Sequence, residues 1–183
     1  MSKIGRKPIE LKDIQVDVKG QDVHFKGKKS SGVFTLPDEF KGVIQDHKLT
    51  VVPKDKNEMT HKINALWGMS RALLANKIVG SEQPFEKQLQ INGLGFKAAM
   101  SGKKLDFTLG YTHKISLDIP QDVTVEIDKT GQLLTIKSPN KELLGAFCDN
   151  IRSFRPPEPY KGTGIKLAKE TIRRKAGKAK SAG

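Results

Sequence analysis

The 183-residue chain predicts an α+β protein of two similar tandem domains, each an antiparallel sheet covered by one helix, plus a basic C-terminal tail. Three observations carry this prediction. Short runs with period-two alternation of apolar and polar residues, broken by glycine and proline, fill most of the sequence. Two stretches switch to helical periodicity. The same order of elements then runs twice, with individual residues matched at a nearly constant offset.

In the first half, Val16-Asp17-Val18, Val23-His24-Phe25, Val33-Phe34-Thr35-Leu36 and Leu49-Thr50-Val51-Val52 read as strands. The period then changes over Glu58 to Val79, where Met59, Ile63, Leu66, Trp67, Leu73, Leu74 and Ile78 fall on one helical face. Asp55 and Glu58 have the spacing of a capping box, and Gly80 supplies a C-terminal stop. Trp67 reads as a core residue.

The second half repeats this programme. Leu105-Asp106-Phe107, Ile115 to Ile119, Val123 to Ile127 and Leu133 to Ile136 alternate as strands. A helix follows over Lys141 to Phe154 with Leu144, Phe147, Ile151 and Phe154 on its apolar face, and Ser138-Pro139 reads as N-cap and first-turn proline. Gly27, Phe34, Leu36 and Pro37 match Gly110, Leu117, Ile119 and Pro120, all 83 positions on. Ala65 and Arg71 match Ala146 and Arg152, 81 positions on. The expected division is 1–81 and 82–175, joined near Gly80 to Pro84, with 176–183 as a flexible basic tail.

Charge is unevenly placed. Lys and Arg number 33 against 20 acidic residues, a net +13. From Ile151 to Gly183 there are ten basic residues and two acidic ones, whereas the first 150 residues carry 23 and 18. A concentrated cation of this kind is stabilised by a polyanion, and the C-terminal domain is expected to carry the main binding surface. No apolar run approaches the ~20 residues needed to span a bilayer, so no membrane is expected. The opening residues lack a signal peptide's apolar stretch, and Cys148, the single cysteine, fits a reducing compartment, so the expected location is the cytoplasm.

Little of the remaining chemistry points to catalysis. Gly93-Leu94-Gly95-Phe96-Lys97-Ala98 matches a relaxed dinucleotide fingerprint, but that motif must open a long helix, and only a few residues precede the turn-like Ser101-Gly102-Lys103-Lys104. A glycine bend within a strand is favoured, with close RNA approach at Gly93 and Gly95 beside Lys97 as a third reading. His24, His47, His61 and His113 have no zinc-ligand spacing, Cys148 reads as a small core residue, and no carboxylates pair as acid and base. Neither an enzyme nor a cofactor is expected. Aromatic residues total 6% and are not clustered on strands, which disfavours recognition by stacking on unpaired bases.

The most informative segment runs from Arg155 to Lys166. Pro156, Pro157 and Pro159 stiffen the backbone after the second helix, and Gly162 and Gly164 then release it, which places Tyr160 and Lys161 on a stiff arm ending at a flexible joint. Arg155, Lys161 and Lys166 supply charge beside glycine amides that can approach phosphate oxygens. Lys169, Arg173, Arg174 and Lys175 follow, with Lys178 and Lys180 beyond; Leu167 to Ile172 reads as a short helix, and disorder is expected from Ala176.

At this segment the chain resembles the bacterial-type ribosomal protein L6 family, and the resemblance covers nearly the whole sequence. The family hallmark P-E-P-Y-K-G-K-G-hydrophobic stands here as Pro157 to Ile165, S-x-I-G-x-x-P-I as Ser2 to Ile9, G-V-G-Y-R-A as Gly93 to Ala98, and L-G-Y-S-H as Leu109 to His113. Two departures from the pattern matter: Thr163 replaces the usual lysine, and the H-G-T-x-R-A element reads Trp67-Gly68-Met69-Ser70-Arg71-Ala72, with Trp67 in place of its histidine. The resemblance implies two α+β domains that bind large-subunit rRNA near the stalk base, beside neighbouring ribosomal proteins and close to where translational GTPases dock. The residues expected to contact rRNA are Gly93, Gly95, Lys97, Arg155, Tyr160, Lys161, Gly162, Gly164, Lys166, Lys169, Arg173, Arg174 and Lys175. The alternatives are a free-standing basic adaptor for RNA or acidic partners, and a small oxidoreductase built on Gly93 to Ala98.

Overall fold

The computed structural model describes residues 2–11, 14–55 and 60–177. Contacts divide the chain into two units, Met1–Pro84 with Pro139–Lys141, and Phe85–Ser138 with Glu142–Gly183. Each contains antiparallel sheets and one long helix, as the alternation predicts. The single sheet expected per domain is in fact two.

The first unit contains β1 (Ile9–Glu10), β2 (Gln15–Lys19), β3 (Asp22–Lys26), β4 (Ser31–Thr35), β5 (Phe40–Gln45), β6 (Lys48–Pro53) and α1 (His61–Glu82). Its sheets run β2-β3-β4 and β1-β6-β5. Alternation buries Val23, Phe25, Leu49 and Val51, which pack with Ile9, Leu36, Phe40, Trp67, Leu74 and Ile78. The β5–β6 hairpin turns on Asp46 and His47, both at positive φ (49° and 56°), as a two-residue turn matched to strand twist requires.

Helix α1 departs from expectation at both ends. It starts at His61, where the Thr60 side chain accepts from the Ile63 amide; the expected capping residue Glu58, and Met59, lie outside the described residues. It also runs past Gly80 to Glu82. The Ser81 carbonyl accepts from the Lys29 amide (2.9 Å), so the β3–β4 turn satisfies the helix end; the chain stays helical to Glu82 and is extended at Gln83, just before Pro84.

Trp67 is buried, and its indole N–H donates to the Val51 carbonyl at 2.8 Å. The N-terminal segment folds over it. A β-carbon on Gly5 would overlap the indole ring, and the Arg71 guanidinium holds the segment by donating to the carbonyls of Lys7 (2.9 Å) and Pro8 (3.0 Å).

The second unit contains β7 (Phe85–Asn92), β8 (Lys97–Ser101), β9 (Lys104–Thr108), β10 (Ile115–Asp118), β11 (Thr124–Ile127), β12 (Leu133–Ser138), α2 (Lys141–Phe154) and β13 (Gly164–Leu167). Its sheets run β10-β9-β8 and β11-β12-β7-β13. The duplication is visible in burial: Leu49 and Val51 of β6 and Leu134 and Ile136 of β12 face inward in the same alternating order. Helix α2 buries Leu144, Phe147, Cys148 and Ile151, and Phe154 meets the Phe107 ring at 5.7 Å. Ser138 is not its N-cap: it is the buried last residue of β12, and Asn140 directly precedes the helix. The second unit has one strand without a counterpart in the first, β13, and that strand organises the site.

Candidate nucleic-acid interface

β13 lies antiparallel to β7, with Gly164 opposite Asn92 and Leu167 opposite Leu89. This pairing sets the segment after α2 beside the turn that follows β7. The turn contains Gly93 (φ 153°) and Gly95 (φ 75°), and Leu94 stands fully exposed at its tip. It leads straight into strand β8, so the helix that a dinucleotide fingerprint requires is replaced by a strand. Gly93 is needed sterically, because a β-carbon there would overlap the Phe96 ring.

The stiff arm does not end at a joint. Residues 155–165 close into a loop through its own hydrogen bonds: Gly162 N to Glu158 O (3.0 Å), Glu158 N to Thr163 O (2.9 Å) and Ile165 N to Arg155 O (2.8 Å). Gly164 is buried at φ 129°, and a β-carbon on it would lie 2.6 Å from the Pro156 carbonyl oxygen. The glycines therefore let two passes of chain touch. Thr163, standing where the hallmark has lysine, donates its hydroxyl to the Glu158 carboxylate at 2.9 Å. That bond turns the loop's one acidic side chain inward onto the loop.

The tail returns to the same loop. Its anticipated helix over Leu167 to Ile172 is absent: Leu167 ends β13, the Ala168 amide extends the ladder to the Gln88 carbonyl (2.9 Å), and the chain turns at Ala168–Lys169. Glu170 fixes that turn. One carboxylate oxygen accepts from Arg152 of α2 (2.8 Å) and the other from the Leu167 amide (3.2 Å), while the Glu170 carbonyl faces the Lys166 ammonium at 3.4 Å. The Lys175 amide then bonds the Pro159 carbonyl (2.9 Å), and the Arg174 guanidinium lies over Gly162.

The structure thus gathers the Gly93–Gly95 turn, Arg155, Tyr160, Lys161, Gly162, Gly164 and the tail cations Lys169, Arg173, Arg174 and Lys175 around β13. Tyr160 and Lys161 are exposed, as are Lys169, Arg173, Arg174 and Lys175. Asn92, Gly162, Lys166, Glu170 and Arg174 line a shallow groove of about 300 Å³. Lys166 is half-buried in β13, and Lys97 leaves along β8, opposite Thr108. Lys178 and Lys180 lie outside the described residues. Four residues without a sequence signal for this site also belong to it: Phe96 and Tyr111 lie against Arg155, Glu158 accepts from Thr163, and Glu170 joins Arg152 to the turn after β13.

Among the described residues no group of three or more His, Cys, Asp or Glu side chains could hold a metal ion, and no helix is long and apolar enough to cross a membrane. Burial raises the Cys148 thiol to about 11, which keeps it protonated and unreactive.

The family profile of Ribosomal protein L6 matches residues 92–167, from the end of β7 to the end of β13. The large ribosomal subunit protein uL6 of Myxococcus xanthus is 42% identical over 187 aligned positions, covering 97% of this chain and 98% of that one. Those of Beijerinckia indica and Chelativorans sp. are each 39% identical over 181 positions, covering 98% of this chain and all of theirs. With such identity sustained from end to end, the chain belongs to the ribosomal protein L6 family.

Proposed function

We propose that this chain is a structural constituent of the large ribosomal subunit in the cytoplasm, and that it binds large-subunit rRNA through the second unit. Its place is near the stalk base and the translation-factor docking region, beside neighbouring large-subunit proteins. The observation that carries the reading is the convergence around β13: a closed loop and a returning tail present Tyr160, Lys161, Lys169, Arg173, Arg174 and Lys175 to solvent on one scaffold. Folded RNA hides its base edges in a deep groove, so a partner of this surface is read by phosphate, 2′-hydroxyl and shape. The closed loop holds Tyr160 and Lys161 at the surface, and the cations neutralise phosphates and release counterions.

The test is the salt dependence of binding to protein-free large-subunit rRNA. Deleting residues 156–183 would remove a strand of the sheet, so neutralisation of Lys161, Lys169, Arg173, Arg174 and Lys175 to glutamine is the cleaner perturbation. With each lost phosphate contact worth about 0.7–0.9 in the log–log slope, the variant's slope is expected to be shallower by about 3 to 5. Equal slopes would remove this surface from the account.

A further inference from the structure

We infer that Phe96 and Tyr111 are positioning residues that hold the Arg155 guanidinium ready for a phosphate of the RNA, an inference that rests on the reading above. The Arg155 Cζ lies 5.5 Å from the centre of the Phe96 ring and 5.0 Å from that of Tyr111, both within cation–π reach. Three residues remote in sequence thus meet at one point, and each is held by something else. Phe96 packs on the hydrophobic core and fills space left by Gly93 and Gly110, where a β-carbon on Gly110 would lie 2.9 Å from the ring. The Tyr111 hydroxyl donates to the Phe154 carbonyl at 3.1 Å, and its ring stacks on His113 at 6.0 Å and 19°. The Arg155 carbonyl accepts from the Ile165 amide, which ties its backbone to β13.

Among the described residues no carboxylate pairs with Arg155. Its guanidinium rests on aromatic rings, and such contacts leave N–H groups unpaired. A guanidinium can offer a phosphate two parallel hydrogen bonds, and an aromatic support orders it beforehand without consuming that capacity. A lysine would keep the charge and lose both the plane and the stack.

The experiment measures the affinity of the full chain for protein-free large-subunit rRNA in a cycle of Tyr111→Leu, Arg155→Ala and the double variant, with Tyr111→Phe as the ring-retaining control. Tyr111 is 42% exposed, so its replacement leaves the core intact. Tyr111→Leu is expected to weaken binding about two- to fivefold, the range of an exposed cation–π contact, while Tyr111→Phe stays within about twofold of the parent. In the Arg155→Ala background Tyr111→Leu is expected to change nothing further. An undiminished loss in that background, or no loss in the parent, overturns the positioning role while leaving RNA binding in place. If Arg155→Ala itself binds like the parent, both the positioning role and the participation of Arg155 in the RNA surface fall together.

Discussion

Replacing Glu170 by glutamine separates simple charge attraction from a positioned surface, because the two give opposite signs. Glutamine keeps the size of the side chain and presents one acceptor and one donor where the carboxylate presented two acceptors. The donors it must face are the Arg152 guanidinium, now 2.8 Å from one oxygen, and the Leu167 amide, 3.2 Å from the other. One of these bonds is lost and the other loses its charge assistance. A charged hydrogen bond contributes about 1.5–3 kcal/mol when buried, and partial exposure of both side chains (36% and 27%) lowers the expected cost to about 1–2 kcal/mol. That corresponds to a loss of amide protection of about five- to thirtyfold at Leu167, Ala168 and Lys175, whose hydrogen bonds follow the turn. The Trp67 indole in the first unit is expected to exchange at its parent rate. Hydrogen exchange followed by NMR reads all four. The RNA measurement then decides: removing a negative charge from a cationic surface favours binding on electrostatic grounds, whereas release of the tail weakens it. The account predicts weaker binding. Unchanged protection at Ala168 and Lys175, or tighter binding, would show that Glu170 does not hold the tail against the loop.

Gly164→Ala should cost more than about 2 kcal/mol in thermal unfolding, since it combines a positive φ with a β-carbon 2.6 Å from a carbonyl oxygen; loss of less than about 0.5 kcal/mol would contradict the closed loop. Trp67→Phe leaves the buried Val51 carbonyl without its donor and should cost about 1–3 kcal/mol in denaturant unfolding followed by circular dichroism. Gly5→Ala should blue- or red-shift the emission of the chain's one tryptophan by displacing the segment above it, while leaving RNA affinity unchanged. Burial raises the Cys148 thiol from 9.0 to about 11, so the unfolded chain releases this proton first as pH rises. The corresponding stability is complete below about pH 9 and is lost as pH climbs through 11; Cys148→Ala should flatten the urea midpoint over that window.

The fold was largely legible because alternation and helical period report burial directly. The strands at Val23-His24-Phe25 and Leu133 to Ile136 and the whole of α2 lie where their apolar spacing puts them. Helix α1 was misjudged at both ends for a physical reason: Gly80 is a stop only if the last carbonyls lack partners, and the Lys29 amide supplies one from a distant turn. β13 was hidden inside a proline- and glycine-rich segment that reads locally as a loop, since a strand edge is specified by its partner, here β7. The cationic residues of the site could be named from composition and from the hallmark motif. What holds them could not: Arg155 with Phe96 and Tyr111, and Glu170 with Arg152, meet only through the three-dimensional path of the chain. The departure at Thr163 is explained by its bond to Glu158, a contact invisible while the position is seen only as a missing lysine.

Association with the large subunit can be read by sedimenting cell extract through a sucrose gradient at lowered magnesium, so that the subunits separate, and blotting for the parent chain and for the variant neutralised at Lys161, Lys169, Arg173, Arg174 and Lys175. The account predicts that the parent tracks with large subunits and survives a moderate salt wash, and that the variant is released at distinctly lower salt. A parent chain that stays at the top of the gradient even under gentle conditions, or a variant that resists salt as the parent does, would contradict it.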